Sequence, residues 1–283
     1  MPRPPRLDTV GTVTHVIARG NERRPLFRDD ADRERYLELL GEACARHGAR
    51  CLAFCLMPNH VHLALQTGAS PVSRVVHDTH SRYAQYFNRR YDRSGHLFQG
   101  RFRGVVVDRD AYLLEVVRYI HRNPVKARLA LRPEEYPWSS HRLYLGTAPP
   151  WLATGEALGL LAGTRPKARR LFQEFVAGTA SGRYDPEAAR LGAAVGDDDF
   201  VRAALAKAGK GDLVQRLLTL ESVVEAQPDR LAAIEGRRLR LEARIQNVTQ
   251  TATRASVSVV SGLDDPRITP ESLDLPPGEP RLL

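Results

Sequence analysis

The run RCLAFCLMPNHVHLALQ, residues 50–66, constrains the fold more than any other stretch of the chain. Two apolar segments are separated only by the turn residues MPN. So abrupt a reversal between two such segments predicts an antiparallel β-hairpin. On a strand, residues i and i+2 point the same way. His60 and His62 therefore project together, and Val61 points to the opposite face, toward a core.

The rest of the first half fits around that hairpin. TVTHVIAR, residues 12–19, is rich in β-branched residues and reads as a strand, followed by the turn RGNERR. DDADRERYLELLGEACARHG opens with acidic residues, carries Leu37, Leu40 and Ala43 at helical spacing, and ends at Gly48, which predicts a helix. Val72, Val75, Val76 and Thr79 mark a second helix from Pro71 to about Arg90. RFRGVVVD follows as a strand, and a last helix runs from Asp110 to Pro124. The order β-α-β-β-α-β-α predicts an α+β, ferredoxin-like split β-α-β fold: an antiparallel sheet with helices on one face.

After about residue 147 the character changes. GTAPPW reads as a linker. Helical segments are expected around 154–162, 166–178, 198–208 and 212–225, with a longer amphipathic helix in RLAAIEGRRLRLEARIQ, residues 230–246. The expected organisation is a domain over 1–147, a helical extension over 148–246 with room for a DNA-binding helix-turn-helix, and a proline-rich disordered tail over 247–283.

Charge separates the halves. Residues 1–150 hold 24 Lys and Arg against 15 Asp and Glu, whereas residues 151–283 hold 18 of each. The whole excess of +9 thus lies in the first half, and residues 74–103 alone carry seven arginines and two aspartates. A one-sided basic patch is the footprint of a polyanionic partner. Only four of the 42 basic residues are lysine. That general habit explains the choice of arginine but not its placement. No apolar run reaches membrane length, and MPRPPRLDTVGTV lacks a signal-peptide core, so the expectation is a cytoplasmic protein without a membrane partner. Cys44, Cys51 and Cys55 show no zinc-type spacing and read as buried reduced thiols.

A pair of imidazoles two residues apart is a weak metal signal by itself. The helix 110–123 strengthens it. Its core stripe is Leu113, Val116, Val117 and Ile120. Tyr119 and Asn123 lie off that stripe, one turn apart on one face. Two imidazoles and an amide oxygen make a three-ligand site with open positions, suited to Mg²⁺ or Mn²⁺. A tyrosine one turn away could lie beside a metal-bound phosphate. The structural alternatives are a half-buried aromatic at 119 and an ordinary helix-terminal Asn before Pro124. His15 and His121 have no assigned role.

MPNHVHL followed by RYIHRNPVKA resembles the HUH single-tyrosine transposases, in the branch associated with repetitive extragenic palindromes. THVIARGNERRPLF, YFNRRYDRSGHLFQGRF and YPWSSHRLY are similar to that branch too, so the resemblance spans roughly residues 5–147. It implies that His60, His62 and Asn123 hold a divalent metal, Mg²⁺ or Mn²⁺, and that Tyr119 is the nucleophile. It also implies cleavage and rejoining of single-stranded DNA near a hairpin, through a 5′-phosphotyrosine and a free 3′-hydroxyl. Monomer and homodimer are both left open.

Tyrosine has a reference pKa near 10, so its proton needs an acceptor or its pKa must fall. Glu115, one turn earlier, and the metal itself are the candidates. Tyr112, seven residues before Tyr119, is the rival nucleophile. DNA contacts are expected from Arg82, Arg89, Arg90, Arg93, Arg101 and Arg103. Tyr83, Tyr86, Phe87 and Phe98 serve either base stacking or the core. Arg19 and Asn21 join them by resemblance only. Two other readings compete: a module that binds DNA hairpins without cutting, and a small-nucleotide phosphohydrolase. The second is disfavoured because Ala64 stands where a histidine-triad hydrolase has its third histidine.

Overall fold

The computed structural model describes residues 11–178, together with 184, 186, 194–195, 200–201, 203–204 and the backbone of 239–243 and 257–261. Contacts divide the chain into two units, Arg6–Ala204 and a second made of Met1–Pro5 with Leu205–Leu283.

In the first unit the expected order appears in full: β1 (Val13–Arg19), α1 (Asp30–His47), β2 (Arg50–Met57), β3 (His60–Gln66), α2 (Val72–Arg90), β4 (Arg103–Val107) and α3 (Arg109–Lys126). A two-residue strand, β5 (Ala194–Val195), completes a sheet ordered β2-β3-β1-β4-β5. β1 pairs antiparallel with both β3 and β4, which places β1 at the centre of the α+β ferredoxin-like core. The β4–β5 pair is parallel, so the complete sheet is mixed.

Helix α1 begins where Asp29 accepts a hydrogen bond from the Asp32 amide and ends at Gly48, whose φ of 63° suits glycine. Helices α1 and α2 pack on one face of the sheet, against Val16, Ala18, Phe54, Leu56, Val61, Leu63 and Leu65. The expectation of helices on one face holds for these two alone. Helix α3 covers the other face, over Val13, Ala53, Cys55, Met57, Ala64, Val105 and Val107. The reason lies in β2 and β3, where buried residues run consecutively instead of alternating. A strand apolar on both faces requires cover on both. The three cysteines are free and buried, as expected, and burial raises their thiol pKa values.

Helix α3 also runs past its expected end, with Pro124 inside it and Lys126 in its last turn. Pro124 lacks an amide hydrogen, but its carbonyl still accepts from the Leu129 amide at 2.8 Å.

The motif YPWSSHRLY closes the outer side of β2. The Leu56 amide donates to the Trp138 carbonyl at 2.8 Å, and the Ser140 amide to the Phe54 carbonyl at 3.0 Å. The Phe54 amide donates to Ser140 Oγ at 2.9 Å. The hydroxyls of Tyr136 and Tyr144 donate to the carbonyls of Leu56 and Leu52. Backbone groups of an outer strand are thereby satisfied by a strap from beyond α3. The strap continues into α4 (His141–Leu145), α5 (Gly155–Gly159) and α6 (Arg165–Ala177). Phe172 of α6 stacks on Tyr144, ring centroids 4.5 Å apart. The helices expected near 154–162 and 166–178 are therefore present.

In the second unit, β6 (Leu239–Ala243) pairs antiparallel with β7 (Val257–Ser261). This corrects the helix expected over 230–246 and the unstructured reading of the tail at these positions. Leu-Arg-Leu-Glu-Ala alternates with period two and Val-Ser-Val-Val-Ser is β-branched, which is strand chemistry. The helix expected at 212–225 and the remainder of the expected helix-turn-helix region lie outside the described residues.

Ser140 is fully buried, and three groups converge on its hydroxyl: the Phe54 amide, the Phe54 carbonyl and His121 Nε2, the last at 2.7 Å. Ser140→Ala leaves buried polar groups without partners, at a cost of about 2 kcal/mol. Urea denaturation is expected to show that loss with an unchanged m-value.

Candidate active site

The two histidines reach the site through strand register. On β3, His60 lies opposite Arg19 and His62 opposite Ile17 of β1. The side of β3 that carries them is the side roofed by α3. His62 is 4% exposed, so the face of β3 opposite Val61 is no open surface. Burial here does not separate it from Tyr119, because α3 brings that ring over the same face. The His62 and Tyr119 ring centroids are 5.9 Å apart, and those of His60 and His62 are 5.0 Å apart. Tyr112, the rival on the same helix, packs against the α3-side core.

Hydrogen bonds define what each side chain offers. Asn59 Nδ2 donates to the Arg23 carbonyl at 3.1 Å, which turns Asn59 Oδ1 toward His60 Nδ1, 2.8 Å away. His60 Nδ1 must therefore carry the proton, and its Nε2 keeps a lone pair. His60 is held neutral, its pKa lowered to about 4 by burial and by the charge of Arg19. His62 is also held well below the usual histidine value, first by burial and then by His15, His60, Arg19 and Lys126. A neutral imidazole is the form that ligates a metal. Asn123 Nδ2 donates to the Tyr119 carbonyl at 2.9 Å, which makes the amide oxygen the end that could ligate a metal. Among the described residues no group of three or more His, Cys, Asp or Glu is placed to hold a metal. A set of two imidazoles and one amide is consistent with that, and the donor types fit Mg²⁺ or Mn²⁺.

Three further side chains adjoin this cluster, none of them assigned from the sequence. His15, on β1, is buried and places Nε2 2.9 Å from His62 Nδ1. Its other nitrogen lies 2.6 Å from the Tyr184 hydroxyl. The Tyr184 ring also packs edge-on against Tyr119, centroids 5.5 Å apart. Lys126 sits in the last turn of α3, with Nζ 5.8 Å from the centre of the Tyr119 ring. Glu115, a candidate proton acceptor, faces Arg118 at 3.8 Å.

The arginines sort into two groups. Arg90 is engaged with Asp29 and Asp32, and Arg82 with Glu42. These two hold helices together, and Asp32, fully buried, depends on its partner. Arg103 bonds the Pro186 carbonyl and is half-buried. Arg93 lies over the Phe87 ring. Arg19, Arg89 and Arg101 are exposed, and Arg19 is the one set beside the histidines. Tyr83 and Phe87 belong to the core, while Phe98 stacks on His80 with ring centroids 4.0 Å apart.

The loop after Arg19 is tightly drawn. The Gly20 amide donates to the Asn59 carbonyl and the Asn21 amide to the Leu97 carbonyl, both at 2.8 Å. A Cβ at Gly20 would fall 2.1 Å from the Arg24 carbonyl oxygen. Glu22 and Arg23 adopt left-handed φ angles of 54° and 60°. Such strain in a non-glycine pair is held only where surrounding bonds enforce it.

Residues 9–123 match the model of a family described as "Transposase IS200 like". That stretch is an IS200-like transposase match. It contains His60, His62, Tyr119 and Asn123, and ends before Lys126 and Tyr184. No curated protein matches the chain. Among solved structures, the REP-associated tyrosine transposase bound to a REP hairpin aligns at 18% identity, over 54% of this chain and 92% of that one, with a TM-score of 0.44. A protein of Deinococcus radiodurans R1 assigned as a transposase aligns at 16% identity, over 46% of this chain and 92% of that one, with a TM-score of 0.30. Among the described residues, no helix is long and apolar enough to cross a membrane.

Two outcomes follow. His60 is expected to give imidazole ¹⁵N shifts of a neutral ring from pH 8 down to 5, where an ordinary histidine has already titrated. The unfolded chain takes up protons near pH 6.5 that the folded site refuses, so stability falls as pH drops from about 6.5 toward 4. Separately, Arg90→Ala is expected to lower the thermal midpoint seen by circular dichroism, whereas Arg19→Ala leaves it near the wild-type value.

Proposed function

We propose that this protein cleaves and rejoins single-stranded, hairpin-associated DNA in a metal-dependent transposition reaction, with Tyr119 as nucleophile. The observation that carries the reading is the meeting of the Tyr119 ring with the His60–His62 pair from a separate element. The family match over 9–123 supports the same class of chemistry.

His60, His62 and Asn123 would hold the divalent metal, Mg²⁺ or Mn²⁺. When bound, it supplies Lewis-acid stabilisation of the charge that develops on the scissile phosphate. Tyr119 attacks that phosphorus with its hydroxyl oxygen, forming one phosphate ester as the bond to the departing 3′-oxygen breaks. The phenolic proton leaves and the 3′-oxygen gains one, so charge and atoms balance. Because one ester replaces another, a strand bearing a 3′-hydroxyl reverses the step without ATP. Arg19 and Lys126 flank the histidines and add fixed positive charge for the phosphate. Arg89, Arg93 and Arg101, with Asn21 in the neighbouring loop, would contact the flanking backbone. Arg82, Arg90 and Arg103 contribute to the scaffold instead, since each already has a protein partner. The positive field around His62 also couples the two ligands: metal should bind more tightly once a phosphate neutralises it.

The test uses end-labelled hairpin oligonucleotides with single-stranded flanks, in Mn²⁺. Wild type is expected to form a covalent adduct, mapped by mass spectrometry to Tyr119. Tyr119→Phe is expected to form none while binding the hairpin with unchanged affinity. Hairpin binding by wild type without any adduct would select the non-cleaving module, and an adduct on Tyr112 would move the nucleophile.

A further inference from the structure

His62 belongs to a chain of three side chains. Its Nδ1 lies 2.9 Å from His15 Nε2, and His15 Nδ1 lies 2.6 Å from the Tyr184 hydroxyl. His15 and His62 are both buried, and their rings stack with centroids 5.1 Å apart. Burial favours the uncharged form of both rings, in which each carries a single N–H. The chain then has two settings. In one, Tyr184 donates to His15, His15 donates to His62, and His62 must carry its proton on Nε2. In the other, His62 Nδ1–H donates to His15 Nε2, His15 Nδ1–H donates to Tyr184, and His62 Nε2 bears a lone pair.

Only the second setting makes His62 a ligand. Two observations favour it. Arg19 stands opposite His60 on β1, and Lys126 lies over the Tyr119 ring that packs beside His62, so positive charge surrounds His62 and disfavours an N–H pointing into it relative to a lone pair. His60 shows the same arrangement in simpler form, its Nδ1 proton engaged by Asn59 and its Nε2 lone pair retained. The second histidine thus obtains from His15 what the first obtains from an amide.

We propose that His15, anchored by Tyr184, is a positioning residue that holds His62 in the Nδ1–H tautomer and so presents its Nε2 lone pair to the metal. The inference rests on the reading of His62 as a metal ligand. It extends the site beyond the family-matched stretch, because Tyr184 lies outside residues 9–123. It also gives His15 a role through another side chain instead of direct ligation. Outer partners of this kind change metal affinity by roughly 10–100-fold when removed.

The test uses full-length protein labelled with ¹⁵N-histidine and two readouts. Long-range ¹H–¹⁵N spectra of the metal-free protein at pH 7 report the tautomer of His62. Calorimetric Mn²⁺ titration reports affinity. Wild type is expected to show Nδ1–H on His62. His15→Leu should shift that signal toward Nε2–H and weaken Mn²⁺ binding roughly 10–100-fold. His15→Gln, whose amide oxygen can accept the same proton, should stay within about threefold of wild type on that scale. An Nε2–H signal on wild-type His62 overturns the proposal, and so does wild-type Mn²⁺ affinity in His15→Leu. Equal losses in His15→Leu and His15→Gln also overturn it, since packing would then explain both. If His15→Leu fails to fold, the wild-type spectrum decides. Wild type with Nδ1–H on His62 but no Mn²⁺ binding, even with a hairpin oligonucleotide present, would instead sink the metal-dependent reading while supporting the tautomer assignment.

Discussion

The site depends on the packing of α3 against the face of the sheet that α1 and α2 leave uncovered. Leu113, Val116, Val117 and Ile120 lie fully or almost fully buried along one stripe of that helix. Their burial sets the helix's rotation, and the rotation decides where Tyr119 falls. On the sheet side, the pairing of β1 with β3 decides which imidazoles share that face. A register slip of one residue in β3 would move both histidines to the opposite side. The apolar core and the polar site are in this sense one structure, since the same contacts exclude water from the first and align the second.

Polar groups inside that second layer are matched and not merely tolerated. His60 has Asn59, His62 has His15, and His15 has Tyr184. The YPWSSHRLY strap does comparable work away from the site, where Ser140 joins a backbone amide, a backbone carbonyl and His121. An unpaired polar group at such depth is costly, so these partners constrain the chain to one arrangement. The price appears in acid, where several buried histidines resist protonation that the unfolded chain accepts.

Much of this was legible in the residues. The hairpin followed from two apolar runs around MPN, and the helix bearing Tyr119 and Asn123 from a four-residue stripe beside them. The two-sided burial of the sheet was also written there, because RCLAFCLM is apolar at successive positions instead of alternate ones. His15 was not legible, because its meeting with His62 depends on the alignment of two strands and no single strand's pattern contains that alignment. Lys126 was hidden by Pro124, which suggested that the helix ends before reaching it. Arg82 and Arg90 looked available because their carboxylate partners lie far away in sequence, on or beside α1. The strand at 239–243 lies in a charged, leucine-containing stretch whose helical look hides its period-two alternation, and the strand at 257–261 lies in a tail whose proline-rich end suggested disorder.

The ion pairs of Arg82 and Arg90 have one more consequence. A guanidinium already neutralised by a carboxylate neutralises no phosphate, so it releases none of a polyanion's condensed counterions. The count of 42 basic residues therefore overstates the ionic-strength sensitivity expected for a polyanion held on this face. On the proposed function that sensitivity falls to arginines without a carboxylate partner, Arg19, Arg89 and Arg101 foremost, so retention in concentrated salt should exceed what the arginine-rich composition suggests.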